Sequence, residues 1–253
     1  DQFKKLQVQS LFCDEKGRLW VGGLKVNEVL QKNGDTWTRI PVHHPNPVKK
    51  LGILRIYVDS KQRAWLLTNK GVFRLEADGF RPFQEFQADQ IIEKNAFSMC
   101  EDFKGHLWFV GLQGVFVLDE KGVHRFSATN GFSNAFATQA FPDREGNLWF
   151  STDGQGVFKY KGGAFVHFDE SSGLGNPIVM SLVRDKQGLL WIGTYGGGLQ
   201  VYDGKRITTR LLPGATRRIV PMIRDAGGDL WIGTFGGGLW KYDGRQFSQV
   251  AKN

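Results

Sequence analysis

Cysteine is scarce in this sequence, with only Cys13 and Cys100 among 253 residues and no Cys-x-x-Cys spacing. Neither a thiol redox motif nor a cysteine-based zinc site is therefore indicated. The sequence also has no run of eighteen apolar residues, so we expect no membrane-spanning helix in it. Its first residues include no apolar segment of the kind found in a signal peptide. Composition alone leaves the cellular compartment open.

Signatures of common catalytic and cofactor sites are missing as well. We find no His-Glu-x-x-His, Gly-x-Ser-x-Gly, Walker, Gly-x-Gly-x-x-Gly or EF-hand-like segment. The Gly-Gly-Gly runs at 196–198 and 236–238 lie between predicted strands, so no helix N-terminus follows them to bind phosphate. We therefore expect a protein that is not an enzyme and has no cofactor or metal. A lyase that draws its residues from several repeats would leave no local motif, and stays an alternative.

Positive charge is in excess but is not concentrated. The formal net charge is +8, and lysine and arginine are scattered over turns and strand ends with no run of five. Nucleic-acid binding would call for a basic strip interleaved with aromatic residues, which the sequence does not show. A solvated basic surface is the simpler interpretation, and we expect no nucleic-acid partner.

What the sequence has in abundance is repetition. Tryptophan recurs every forty to forty-five residues, and an aspartate precedes each of these tryptophans by six positions. A glycine lies three residues before five of them, whereas Gln62 takes its place in the second copy. The recurrent tryptophans are Trp20, Trp65, Trp108, Trp149, Trp191 and Trp231, and the aspartates are Asp14, Asp59, Asp102, Asp143, Asp185 and Asp225. A period of this length is typical of propellers and solenoids.

Each copy contains four short segments with strand character. An apolar alternation leads into Asp-x-x-Gly, a tight hairpin turn, and a Leu-Trp-Ile-Gly-Thr segment follows as the second strand. Two more strands complete the unit, as in a propeller blade. We therefore predict an all-β protein, a single β-propeller domain over 1–253 with about six four-stranded antiparallel blades. The predicted blades are 7–40, 51–86, 94–127, 135–169, 177–212 and 217–250.

Seven blades, or a fragment of a longer array, are also compatible with the sequence. Residues 3–6 resemble a fourth strand that would belong to a blade before the first one or would close the ring. We expect the tryptophans to pack between blades and the aspartates to form turns, which makes both sets structural. Cys13 and Cys100 lie in different copies and one position out of phase, so we do not expect a disulfide between them.

The pattern Asp-x-x-Gly-x-Leu-Trp-Ile-Gly-Thr-x-Gly-Gly-Gly-Leu, clearest at 185–199 and 225–239, resembles the two-component regulator propeller repeat. The resemblance covers nearly the whole chain and is weakest in the second copy, where Leu67 replaces the glycine that follows Trp-Ile. It implies the periplasmic or extracellular sensor region of a bacterial signalling receptor. Such regions often detect saccharides. The partners that the resemblance implies are therefore an oligosaccharide or small-molecule ligand, signalling domains in the same full-length receptor, and a homodimer.

Candidate binding residues lie in the irregular loops between blades and in the loops that join second to third strands. Tyr195 and Phe235 occupy equivalent positions, each between Gly-Thr and Gly-Gly-Gly, where two rings could stack on a sugar or could instead pack on a neighbouring loop. The Arg217-Arg218 and Lys49-Lys50 pairs could hold a carboxylate or sulfate. The other candidates on the second-to-third loops are Asn69, Lys70, Gln113, Asp153 and Gln155.

His43 and His44 lie in the longest inter-blade loop, 41–50, as further ligand-binding candidates. Adjacent residues on an extended chain point in opposite directions and no third ligand is near in sequence, so a metal site is not indicated. The leading hypothesis is a ligand-sensing propeller, with a protein-interaction scaffold and a polysaccharide or small-molecule lyase as alternatives. The sequence does not identify the ligand, the oligomeric state or the output domain.

Overall fold

The computed structural model describes residues 7–24, 27–44, 51–84, 96–112, 114–126, 128–132, 136–213 and 217–251. Within these ranges the chain forms six four-stranded sheets, each a meander of consecutive antiparallel strands. The sheets follow the sequence repeat one for one, so the predicted blades are present as folded units, which we number 1 to 6. Residues 3–6 lie outside the described ranges. None of the described helices has the length and apolar character needed to cross a membrane.

Residue contacts group the chain into two compact units, Asp1–Arg125 and Phe126–Asn253. Unit 1 contains blades 1 to 3 and unit 2 contains blades 4 to 6. The assignment of 1–253 as a single domain stays a prediction. The strands of blades 1 to 3 are β1 (Gln7–Cys13), β2 (Leu19–Leu24), β3 (Glu28–Asn33), β4 (Thr36–Pro41), β5 (Ile53–Val58), β6 (Ala64–Thr68), β7 (Gly71–Glu76), β8 (Gly79–Pro82), β9 (Ala96–Glu101), β10 (Leu107–Gly111), β11 (Gly114–Asp119) and β12 (Gly122–Phe126).

Unit 2 repeats the same arrangement and adds two short 3₁₀ turns, Ala128–Asn130 and Glu170–Ser172. The strands of blades 4 to 6 are β13 (Ala137–Pro142), β14 (Leu148–Thr152), β15 (Val157–Lys161), β16 (Ala164–Phe168), β17 (Val179–Arg184), β18 (Leu190–Thr194), β19 (Leu199–Tyr202), β20 (Ile207–Arg210), β21 (Ile219–Arg224), β22 (Leu230–Thr234), β23 (Gly238–Tyr242) and β24 (Phe247–Ala251). The first strand of every blade carries a β-bulge near its start, where it pairs with the second strand.

Apolar clusters fill the space between successive blades within each unit. Trp65 of blade 2 shares a cluster with Met99 and Phe109 of blade 3, and Trp149 of blade 4 shares one with Leu182 and Ile192 of blade 5. Trp20 and Trp191 occupy the equivalent places between blades 1 and 2 and between blades 5 and 6. The prediction that these tryptophans form inter-blade core is therefore confirmed at four of the six positions.

Each recurrent aspartate does more than form its turn. One carboxylate oxygen accepts backbone N–H bonds within the hairpin, as when Asp185 Oδ1 accepts from Gln187 and Leu189. The other oxygen accepts the indole N–H of the tryptophan six residues later in all six blades, at 2.7 to 2.9 Å. The carboxylate thus connects the hairpin to the residue that anchors the blade in the core. We call this pair the Asp–Trp clamp.

The turn of blade 2 departs from the repeat because Gln62 stands where the other copies have glycine. Gln62 keeps the left-handed backbone of that position, with φ of 61°, as Gly188 does in blade 5 with φ of 91°. A residue with a Cβ atom is strained there by about 1 kcal/mol or more. The Gln62 side chain does little to offset this strain, because its Oε1 accepts a long hydrogen bond of 3.5 Å from Arg18 Nη2.

Replacing Gln62 by glycine is therefore expected to stabilise the protein by about 1 kcal/mol, because the strain is removed. For a chain of this size that corresponds to a rise of roughly 2–4 °C in melting temperature. The measurement is thermal unfolding followed by circular dichroism. Gly188→Gln is the matched control and should lower the midpoint. A Gln62→Gly variant that melts at or below the wild-type temperature would contradict the strain argument.

The two cysteines are both free, with Cys13 exposed and Cys100 buried. Cys13 ends β1 and Cys100 lies in β9, in two different blades of unit 1. Burial raises the pKa of the Cys100 thiol well above its usual value. Cys100 therefore behaves as a small apolar core residue, since the thiolate is the reactive form.

Candidate functional site

The loops that follow the second strands of blades 4 and 5 are bonded to the segments that enter blades 5 and 6. Asp153 forms an isolated antiparallel bridge with Ile178, and Tyr195 forms the equivalent bridge with Arg218. Within blades 5 and 6, the Tyr195 N–H donates to the Ile178 carbonyl and the Phe235 N–H to the Arg218 carbonyl, both at 2.9 Å. These bonds link one edge of blades 4, 5 and 6 into a continuous strip. We call it the loop edge of unit 2.

Glycine makes this close approach possible in the run after Tyr195. Gly196 and Gly198 have positive φ angles of 135° and 83°, and their N–H groups both donate to the Arg217 carbonyl. A Cβ atom on Gly197 would lie only 2.4 Å from the Gly175 carbonyl carbon, so the two backbones touch. The Gly-Gly-Gly run that the sequence shows is thus required for packing, and it fixes Arg217 and Arg218 beside Tyr195.

The Arg218 guanidinium lies close to two aromatic rings. Its central carbon is 5.1 Å from the centre of the Tyr195 ring and 5.8 Å from the centre of the Phe235 ring. Both rings remain accessible, with 37% of Tyr195 and 59% of Phe235 exposed. At exposed sites each cation–π contact contributes about 0.5–1 kcal/mol. We call Tyr195, Arg218 and Phe235 the aromatic–arginine cluster.

A cleft of about 300 Å³ adjoins this cluster between blades 5 and 6. Arg210, the last residue of β20, and Arg217 both line it, together with Leu211, which is 79% exposed. No acidic side chain is among the described residues that line it. The full lining is Gly175, Gly197, Gly198, Leu199, Thr209, Arg210, Leu211, Leu212, Arg217 and Ile219.

A second cavity of unit 2, about 270 Å³, lies at the Asp-x-x-Gly turn of blade 4. Its charged groups neutralise one another, because Arg184 pairs with Glu145 and reaches Asp143 at 3.5 Å. Burial alone would raise the pKa of the Asp143 carboxyl, but hydrogen bonds from Trp149 and Asn147 and the Arg184 charge hold it below its usual value. This cavity is an ion-paired joint between blades 4 and 5 rather than a ligand site.

Four of the predicted site residues therefore lie together: Tyr195, Arg217, Arg218 and Phe235. Asp153 is exposed on the loop edge in the position of blade 4 that matches Tyr195 in blade 5. Arg210 and Leu211 are additions that sequence analysis missed. They end an ordinary fourth strand, and nothing in their spacing distinguishes them from other strand ends.

Most of the remaining candidates belong to unit 1, and three of them have structural contacts there, whereas Gln155 lies in unit 2, where its carbonyl contacts His167. Asn69 Oδ1 accepts the Gly52 N–H at 2.9 Å, which holds the start of blade 2. His43 contacts the Asp78 carbonyl through Nε2 at 3.1 Å, and the His44 ring lies 5.9 Å from that of Phe73. No group of three potential metal ligands occurs in the part of the chain that the structure describes. Lys49, Lys50 and Gln113 lie outside the described residues.

The profile of the two-component regulator propeller family matches residues 172–196, the segment that contains the Asp185–Trp191 clamp and Tyr195. The chain carries a two-component regulator propeller repeat. No match was found among curated protein sequences. The repeat thus matches the pattern identified from the sequence, and the matched segment includes Gly175 of the cleft lining.

Solved structures with the same architecture include sensor domains and a lyase. Two extracellular domains of proteins assigned to hybrid two-component systems of B. thetaiotaomicron match with TM-scores of 0.75 and 0.76, at 22% and 18% identity. The matches cover 98% of this chain but only 37% and 35% of those domains. Virginiamycin B lyase from Staphylococcus aureus matches at a TM-score of 0.75 and 14% identity, over 99% of this chain and 87% of the lyase. At these identities the likeness establishes the fold, a β-propeller with six blades.

Proposed function

We propose that this chain is a ligand-sensing propeller from the extracytoplasmic part of a bacterial signalling receptor, and that it binds an oligosaccharide or other small ligand at the loop edge of unit 2. The observation that supports the proposal is the aromatic–arginine cluster. It presents two accessible rings, both within 6 Å of one guanidinium, on a strip that backbone hydrogen bonds hold in place. The two-component regulator propeller repeat in this chain and the sensor domains that share its fold agree with this role.

The chemistry of the cluster suits a sugar. The C–H groups on one face of a pyranose ring pack against an aromatic face, while its hydroxyl groups accept hydrogen bonds from a guanidinium. Tyr195 and Phe235 could supply the apolar contact, and Arg218, close to both rings, could supply donors. A site built this way needs little rearrangement on binding, which favours affinity because less conformational entropy is lost.

Removing either ring should weaken binding. We expect Tyr195→Ala and Phe235→Ala each to raise the dissociation constant of an oligosaccharide ligand about ten- to a hundredfold, which corresponds to roughly 1.4–2.7 kcal/mol. The ligand would first be found by a thermal-shift screen of neutral, uronic and sulfated oligosaccharides, because a ligand of the native state raises the melting temperature. Isothermal titration calorimetry would then give the affinities.

The matched control is Phe103→Ala, which removes an aromatic side chain that is 73% exposed on the turn of blade 3. It should bind as wild type does. Unchanged affinity in both cluster variants would place the ligand elsewhere. If no saccharide shifts the melting temperature and a protein co-purifies stoichiometrically instead, the scaffold alternative gains support.

The lyase alternative is favoured only by the shared fold. Virginiamycin B lyase has been crystallised as a catalytically inactive His-to-Ala variant with quinupristin, so a histidine matters in that protein. The single histidine of unit 2 in this sequence is His167, whose ring stacks on Phe158 at 4.3 Å and whose Nε2 contacts the Gln155 carbonyl at 2.6 Å. Both contacts engage His167 within its own blade, so this residue offers no evident acid or base for a lyase site at the loop edge.

A further inference from the structure

The cleft beside the aromatic–arginine cluster has a marked charge preference. Two of its lining side chains, Arg210 and Arg217, are cationic, and the other described lining residues are glycine, threonine, leucine and isoleucine. No carboxylate is among the described lining residues, so none of them offsets the positive potential of the two guanidinium groups. A concave site lined by charge of one sign attracts ligands of the opposite sign.

The two arginines also differ from three other basic residues of unit 2. Arg184, Arg206 and Lys241 of the same unit each form an ion pair with a neighbouring carboxylate. Among the residues that the structure describes, neither Arg210 nor Arg217 has a carboxylate oxygen within 4.0 Å, and both still line a shared space. Their donors are therefore available to a ligand.

The backbone positions of both arginines are fixed. Arg210 is paired with Leu199 at the end of β20, and the Arg217 carbonyl accepts the N–H groups of Gly196 and Gly198 at 2.9 and 3.0 Å. Tyr195 directly precedes this glycine run, and Gly197, Gly198 and Arg217 line the cleft, so the cluster and the cleft share one stretch of hydrogen-bonded backbone. A ligand whose ring stacks on Tyr195 and Phe235 would therefore have the cleft directly beside it.

We propose that the ligand of the loop edge is anionic and that its carboxylate or sulfate group is held in this cleft by Arg210 and Arg217. The inference rests on the proposed function, since it names the chemical class of ligand for the same site. Arginine suits planar or tetrahedral oxyanions because its fork of N–H donors can bind two oxygens at once. The cleft volume of about 300 Å³ is at the small end of ligand sites and fits one acidic sugar residue rather than a long polymer segment.

The test compares charged and neutral forms of one oligosaccharide series. The probes are trigalacturonate, its fully methyl-esterified form, a sulfated galactan trisaccharide and a neutral galactan trisaccharide. Each probe is titrated calorimetrically into the wild-type protein and into the variants Arg210→Gln, Arg217→Gln and Arg224→Gln. Arg224 is the matched control, because it is exposed, lies at the far end of β21 from Arg217 and does not line the cleft. Circular dichroism confirms that each variant is folded.

We expect an acidic probe to bind at least tenfold more tightly than its neutral counterpart and to lose that advantage in Arg210→Gln and Arg217→Gln but not in Arg224→Gln. Preference for trigalacturonate would identify a carboxylate ligand, and preference for the sulfated probe a sulfate. Equal binding of charged and neutral forms, or an equal loss in Arg224→Gln, would overturn the inference while leaving the sensor function intact. If no probe binds wild type, and Tyr195→Ala alters no response in the wider saccharide screen, the proposed function itself fails and the inference fails with it.

Discussion

Replacing Leu182 by alanine is expected to lower the free energy of unfolding by about 3 kcal/mol, whereas Leu11→Ala should cost less than about 0.5 kcal/mol. The two leucines occupy the same position of the repeat, in the first strands of blades 5 and 1. Leu182 is 2% exposed and packs in a cluster with Trp149 of the preceding blade, whereas Leu11 is 65% exposed. The substitution is the same, so the difference isolates the contribution of burial.

The contrast at Leu11 is specific to the first blade. The residues that match it in blades 2 to 6 are Ile56, Met99, Ala140, Leu182 and Met222, and all five are buried. A mirror-image contrast occurs in the last blade, where Ile223 is 64% exposed and its blade 5 counterpart Val183 is 9% exposed. Blade 1 therefore exposes an apolar residue that blades 2 to 6 bury, and blade 6 exposes one that blade 5 buries.

Urea denaturation of both variants, followed by tryptophan fluorescence, would measure the two costs. The midpoint should fall clearly for Leu182→Ala and remain near wild type for Leu11→Ala. A loss of similar size in both would mean that the exposed side of blade 1 is covered in solution. Repeating the Leu11→Ala measurement over a range of protein concentrations would then show whether a second copy provides the cover, because stability would rise with concentration.

The second large effect is expected at the Asp–Trp clamp. Asp185→Ala should lower the free energy of unfolding by roughly 3–5 kcal/mol, because it leaves the buried Trp191 indole N–H and two hairpin N–H groups without their acceptor. These three bonds measure 2.7, 3.0 and 2.9 Å. The carboxylate is itself only 3% exposed, so water does not readily replace it.

Asp203→Ala is the control within the same blade. Asp203 also accepts backbone N–H bonds in a turn, from Lys205 and Arg206, but it is solvent-exposed and bonds to no tryptophan. Its loss should cost about 1 kcal/mol or less. A double-mutant cycle with Trp191→Phe separates the indole bond from the turn bonds, since a direct pair gives non-additive losses. Strictly additive losses would show that the aspartate acts through the turn alone.

Much of the fold followed from the spacing of a few residue types. Six tryptophans in register predicted six sheets, and the Asp-x-x-Gly segments predicted the hairpins that the structure shows. The Asp–Trp clamp was not predicted, although the six-residue separation was visible. Recognising it requires the side-chain directions across the hairpin, which place Asp185 Oδ2 next to the Trp191 indole only after the turn and strand have formed.

The candidate site was partly predictable for a similar reason. The sequence singled out Tyr195 and Phe235 in one class of loop and Arg217 and Arg218 in another, without a reason to join them. They meet because backbone bonds connect the end of a second strand to the segment entering the next blade. Arg210 could not be found from sequence, since its contribution depends on the cleft formed by four separate segments. His43 and His44 illustrate the converse, because their loop position did not reveal their contacts with blade 2.

The Asp–Trp clamp has a consequence for how such a protein changes over evolutionary time. Both partners lie within seven consecutive residues, so a duplicated gene segment that encodes one blade inherits its own clamp intact. New copies need to evolve only the surfaces through which they meet their neighbours. Sequence drift can then concentrate in the connecting loops, where Tyr195, Arg217 and Arg218 lie, while the inherited clamp keeps each copy foldable.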